Sequence, residues 1–184
     1  MMKTLVLVVH PNLAASQVNR RWAAAIEGKE GVTVHRLYEA YPDWQIDVAK
    51  EQALLEAHDR IVFQFPFYWY SSPPLLKKYL DDVLTYGWAY GSAGTKLHGK
   101  ELLVAISMGG THEDYQPGGR NQFTIPELLR PFQATSNLTG MKYLPVFSYG
   151  GLLKQSEADL DRSAELYVQH ALRAEFTPLP LIEV

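Results

Sequence analysis

Three short stretches carry residue types suited to holding a flat ligand with an anionic tail. The first is HPNLAASQVN, residues 10–19. His10 stands at a loop entrance, and Ser16 precedes a helical pattern that runs on through Gln17, Val18 and Asn19. The open N–H groups of a helix start can hold a phosphate, and a serine there can also be an ordinary cap. The second is FQFPFYWYSSPPLLKK, residues 63–78. Past Pro66, four rings follow in a row: Phe67, Tyr68, Trp69 and Tyr70. As a wall for an aromatic ligand, offset stacking adds about 0.5–1.5 kcal/mol per ring pair. Core packing or a subunit surface would use the same rings. The third is Ser107, Met108, Gly109 and Gly110, where two glycines permit close backbone approach or a plain turn.

Each stretch follows an apolar, β-rich run. TLVLVVH (4–10), VTVHRL (32–37), RIVFQFP (60–66), ELLVAIS (101–107) and MKYLPVFSY (141–149) read as five strands. Pro145 suggests an edge or a bulge in the last one. Runs that are apolar throughout indicate a sheet covered on both faces. Helical patterns alternate with the strands: from Ser16, from Asp47, from the Pro73-Pro74 pair, over 125–138, and from Ser156 to about Phe176. This is a doubly wound α/β pattern, and five units fit a flavodoxin-like three-layer sandwich with parallel sheet order 2-1-3-4-5. Ligands in that architecture bind outside the carboxyl ends of the strands. The three stretches end strands 1, 3 and 4, so the topology brings them to one side of the sheet. Phe63 and Phe65 lie within the strand and belong to its core.

The chain of 184 residues reads as a single domain, 1–184, long enough to bury roughly 70% of its unfolded surface. Net charge is −3 with no basic block, which argues against nucleic acid as a partner and against an acidic shuttle that docks by charge. The absence of cysteine excludes a thiol nucleophile, a thiolate-bound metal and a disulfide framework. The apolar run at residues 5–9 is too short for a signal segment or for the roughly 20 residues of a membrane span. A cytoplasmic location is expected.

Several local matches carry no chemistry. GTKLHGK (94–100) has the letters of a phosphate loop but precedes a strand and lacks the Ser/Thr. His112, Glu113 and Asp114 are consecutive, a poor arrangement for one coordination sphere, and no metal is expected. No G-x-S-x-G elbow and no G-x-G-x-x-G cradle occurs.

HPNLAASQVN, FPFYWYSSPPLLKKYLDDVLTYGWAYG, KLHGKELLVAISMGG and ELLRPFQATSNLTGMKYLP together resemble the bacterial NAD(P)H:quinone oxidoreductases of the DT-diaphorase type. Among these, the chain is most similar to the general stress protein oxidoreductases. The ancillary quinone reductases of potassium efflux systems are also similar. The resemblance implies a flavodoxin-like homodimer that uses FMN, with FAD the lesser candidate. NAD(P)H is the implied co-substrate, with a quinone or related small molecule as acceptor. By the same resemblance, His10 and residues 16–19 hold the FMN phosphate and ribityl chain. Pro66 and the rings from Phe67 to Tyr70 lie along the isoalloxazine, and Ser107 to Gly110 meet its pyrimidine side. Tyr115 matches a tyrosine beside the flavin in longer members, where a histidine six residues on completes a relay. Here that position is Asn121. Trp88 and Tyr90 face substrate, Tyr90 matching a ring that reaches the partner subunit's site.

The implied chemistry is two-electron, ping-pong hydride transfer. Two other functions share these features. One is a regulatory subunit of a membrane potassium efflux transporter. The other is a flavodoxin-type carrier of single electrons.

Overall fold

The three central strands are buried on both faces, and their side chains alternate between two cores. The computed structural model describes residues 2–152 and 155–176. β1 (Thr4–Val8) pairs in parallel with β2 (Val32–Arg36) on one side and with β3 (Arg60–Pro66) on the other. β3 pairs with β4 (Glu101–Ser107), which pairs with β5 (Lys142–Tyr143) and β6 (Phe147–Tyr149), all in parallel. The order is β2-β1-β3-β4-β5, as expected from the alternation.

Leu5, Leu7, Ile61, Phe63 and Phe65 point to one face of the sheet. There they meet Leu75, Leu76 and Tyr79 of α4 (Pro74–Val83) and Phe132 of α6 (Arg130–Leu138). Val6, Val8, Val62 and Leu103 point the other way, onto Trp22 of α1 (Val18–Ile26) and Tyr167 of α7 (Glu157–Ala171). Helices therefore cover both faces. The Trp22 and Tyr167 rings stack at 4.9 Å between centroids, and Trp22 Nε1 donates to Ser163 Oγ at 3.0 Å.

Proline and glycine account for most departures from the expected elements. The fifth strand divides into β5 and β6 around Pro145, which has no N–H to donate to a ladder. The helix expected over 125–138 divides into α5 (Ile125–Leu128) and α6, each with a proline in its first turn, where the missing N–H costs nothing. β1 stops two residues before His10, although Val9 N–H still donates to Gln64 O at 2.8 Å. β2 stops at Arg36 because Leu37 opens the short helix α2 (Leu37–Ala40), which periodicity did not reveal. Asp47 caps α3 (Val48–Glu56), and Ser156 caps α7 in a reciprocal box with Asp159. α7 ends at Ala171, short of Phe176.

Candidate functional site

β3 and β4 end in register, Pro66 beside Ser107, with the end of β1 next to them. The loops leaving these strands enclose two adjoining clefts. The first has a volume of about 380 Å³. His10, Ser16, Gln17, Val18 and Asn19 line it from the β1 side. Pro66, Phe67 and Tyr68 line it from β3, and Ser107, Met108 and Gly109 from β4. The second cleft is about 290 Å³ and contains Trp69, Tyr70, Gly110 and Tyr115, with Phe67 and Gly109 shared between the two. Topology thus gathers the three stretches, as their places at strand ends required.

Buried polar contacts hold the loops together. Asn19 Nδ2 donates to Ser107 Oγ at 2.8 Å, and Gln64 Nε2 donates to Asn19 O at 2.9 Å. All three residues are buried, and Gln64 Oε1 has no partner among the described residues. A glutamine inside an otherwise apolar strand was the sequence signal for this link. Ser16 Oγ accepts the N–H of Asn19, so Ser16 does cap α1, after a single 3₁₀ turn over Leu13–Ala15.

The same loops leave backbone donors open. Among the described residues, the N–H groups of Gln17, Val18, Trp69, Tyr70, Gly109 and Gly110 have no acceptor. At Gly109 the place a Cβ would take has nothing within 4 Å, so bare backbone faces the clefts. At Gly150 a Cβ would stand 2.3 Å from Gly110 O, so that glycine lets the strand behind approach the β4 loop.

The four rings do not behave alike. Phe67 is only 9% exposed and belongs to the core while still facing both clefts. Trp69, by contrast, is 92% exposed. Trp69 and Tyr70 have φ of 48° and 60°, the left-handed region that disfavours side chains, in a turn closed by Ser71 N–H to Tyr68 O at 2.9 Å. Strain of order 1 kcal/mol per residue is common where a loop is shaped for a ligand.

Burial pushes the His10 pKa down, with a smaller upward contribution from the Asn12 backbone, whose N–H donates to the ring. Because Nδ1 accepts that bond at 3.1 Å, the neutral ring carries its proton on Nε2. Burial pushes the Tyr115 hydroxyl up, helped by Tyr70 and Asp114 and opposed by Arg120, so at neutral pH it is a donor. The Tyr115 ring lies 5.9 Å from that of Phe67. Asn121, at the position of the relay histidine, accepts a bond from Tyr70 OH at 3.1 Å.

Trp88 and Tyr90 line neither cleft of their own chain. The Trp88 indole donates to Glu56 at 2.8 Å, and Tyr90 packs edge-on against Tyr86. Leu152, Gln155, Glu157 and Leu160 do line the first cleft, and Asp114 and Arg120 the second. No motif in the sequence pointed to these six. Among the described residues no three His, Asp or Glu side chains gather as metal ligands, and no helix is long and apolar enough to cross a membrane.

The family model described as flavodoxin-like fold matches residues 2–171. The chain is 58% identical to the uncharacterized NAD(P)H oxidoreductase YrkL of Bacillus subtilis strain 168, over 95% of this chain and 99% of that protein. The general stress protein 14 of Treponema denticola, solved in complex with FMN, is 42% identical, with a TM-score of 0.88 over 92% of this chain and 97% of that one. A protein of P. pentosaceus described as an NADPH-quinone reductase is 40% identical, with a TM-score of 0.86 over 95% and 100%. A structure described as a thermophilic tryptophan halogenase from Streptomycin violaceusniger is 54% identical, with a TM-score of 0.91 over 93% and 99%; its description stands apart from the oxidoreductase names.

Proposed function

The chain belongs to the family with the flavodoxin-like fold, and from that premise we propose that it is an FMN-dependent NAD(P)H:quinone oxidoreductase. One observation carries the reading: six backbone N–H groups without acceptors among the described residues, on three separate loops, converge on two clefts that share Phe67 as an apolar wall. A phosphate at one end and a flat, hydrogen-bonding ring at the other would satisfy them. The related general stress protein 14 structure contains FMN, and two relatives are named as an NAD(P)H oxidoreductase and an NADPH-quinone reductase.

Bound FMN would supply two-electron hydride chemistry, from NAD(P)H to a quinone in alternating half-reactions. The residues of this chain would bind and orient. Gln17 and Val18 N–H, with His10 Nε2–H, would donate to the phosphate at the start of α1. Phe67 would flank the ring, and the N–H groups of Gly109, Gly110, Trp69 and Tyr70 would meet its polar edge. Those donors, with the neutral Tyr115 hydroxyl, would stabilise negative charge that builds there on reduction. The exposed Trp69 ring would exclude water from the outer face. Trp88 and Tyr90 would act on the site of a second subunit in a cytoplasmic homodimer.

The test is direct. Purified protein should show flavin absorbance and release a molecule with the mass of FMN. It should also oxidise NAD(P)H with a quinone in parallel-line initial-rate kinetics. Protein that neither carries nor takes up FMN ends this reading. Converging lines would remove the ping-pong order alone.

A further inference from the structure

Arg120 is the one Arg or Lys among the described residues that line either cleft. It takes part in no ion pair among the described residues. Its nearest acidic neighbour in the cleft, Asp114, is committed elsewhere: that carboxylate accepts Thr111 N–H at 2.7 Å and Thr111 Oγ1 at 3.2 Å.

The loop carrying Arg120 is tightly specified. Asn121 N–H donates to Asp114 O at 2.8 Å, and Gly119 N–H donates to Gln116 O at 2.9 Å. A Cβ on Gly119 would stand 2.2 Å from Glu113 O, so only glycine fits beside the arginine. Gln122 has φ of 61°, and Asn121 is tied to Tyr70. Among the described residues, three of the four non-glycine residues with positive φ, Trp69, Tyr70 and Gln122, therefore lie in the two loops that frame this cleft. An ordinary surface loop needs no such constraints to display a cation.

We propose that Arg120 binds the diphosphate of the incoming NAD(P)H and so sets the affinity for the reductant. The inference rests on the proposed oxidoreductase function and assigns one ligand contact within it. The FMN phosphate is accounted for at the other cleft, beside Ser16. A neutral quinone brings no charge. The anion that arrives at the second cleft in every turnover is then the dinucleotide. With the nicotinamide ring near Phe67 and Gly109, the diphosphate lies one ribose away, within reach of a side chain on the cleft rim. The 2′-phosphate sits at the far, adenosine end. A guanidinium fork suits two adjacent phosphates, which accept its paired N–H donors.

The test uses the FMN-loaded protein and its Arg120→Gln and Arg120→Lys variants. Retained FMN and an unchanged melting temperature control for folding. In Arg120→Gln, the KM for NADH and for NADPH should each rise about tenfold or more. The dissociation constants of NAD⁺ and NADP⁺, measured by calorimetry, should rise in step. The KM for neutral menadione should stay within about twofold of wild type, an expectation of independent sites. Arg120→Lys should recover part of the loss, and the salt dependence of nucleotide binding should flatten only in the glutamine variant. Unchanged nucleotide affinity overturns the proposal. A loss confined to NADPH moves the contact to the 2′-phosphate and overturns the diphosphate assignment. A loss confined to an anionic acceptor such as a naphthoquinone sulfonate overturns it in favour of acceptor binding. Wild-type protein that binds no FMN would instead fail the oxidoreductase reading, before Arg120 is reached.

Discussion

The side-chain amide of Asn19 donates to the hydroxyl of Ser107 at 2.8 Å, joining the first turn of α1 to the last residue of β4 inside the protein. Residues 88 positions apart thereby tie the α1 side of the candidate site to its β4 side. Asn19→Ala should lower stability by about 1–3 kcal/mol, because it strands a buried hydroxyl and the Gln64 amide loses part of its surroundings. FMN affinity should fall as well. The double variant with Ser107→Ala should cost less than the two single losses added together. Urea unfolding and FMN titration of the four proteins measure this, and strict additivity would rule out the coupling.

Trp69 holds positive φ while nearly its whole side chain meets solvent. Stability gains little from that ring, and the backbone carries the cost. Trp69→Gly should therefore raise the unfolding free energy of the flavin-free protein, or leave it level, by up to about 1 kcal/mol. FMN affinity should drop, on the order of 1–3 kcal/mol, if the ring covers the cofactor. Thermal melts with and without FMN separate the two effects. A variant that loses stability and keeps its affinity would reverse this assignment.

Glu51 is fully buried, within 2.9 Å of His35 Nε2 and 2.5 Å of the Tyr41 hydroxyl. Burial raises its pKa, but the bonds from His35 and Tyr41 outweigh burial and hold it below the ordinary 4.5. A depressed carboxyl contributes stability that is complete above the unfolded-state pKa and lost as pH falls through the folded one. Stability should thus decline from about pH 4.5 downward. Glu51→Gln should be less stable at pH 7 by about 1–3 kcal/mol and show a shallower acid slope. Equal acid slopes in the two proteins would exclude Glu51 as a source.

Tyr90 lines no cleft of its own chain and packs against Tyr86, which is 73% exposed. If two subunits share each site, Tyr90→Ala should lower kcat/KM for the acceptor about tenfold, close to 1.4 kcal/mol, while leaving FMN affinity unchanged. Sedimentation supplies the second readout, since the active species should be a dimer. A fully active monomer would defeat the shared site.

The strands nearest the site were legible in their order and nearly in their bounds. RIVFQFP and ELLVAIS match β3 and β4 residue for residue, because a strand covered on both faces must be apolar along most of its length. The edge was less legible. At Pro145 the sequence signals a defect, but whether the strand bends or divides depends on what β4 offers to pair with. The helix over 125–138 divides for a similar reason: each proline suits a first turn, and a chain with two such prolines can be one kinked helix or two helices.

The sequence by itself determined which loops meet. Five alternating units fit the order 2-1-3-4-5, and that order places the ends of strands 1, 3 and 4 together. Tertiary structure decided what each residue does there. It kept Phe67 in the core and sent Trp69 outward, in a left-handed turn that no propensity favours. Among the described residues it left six N–H groups without acceptors, and it brought Gln155 and Arg120 from loops, and Glu157 from the start of α7, to clefts that no motif marked. The physical reason is range. Periodicity reports burial along one segment, whereas an open donor, a strained turn or an unpaired guanidinium is defined by what distant segments fail to supply.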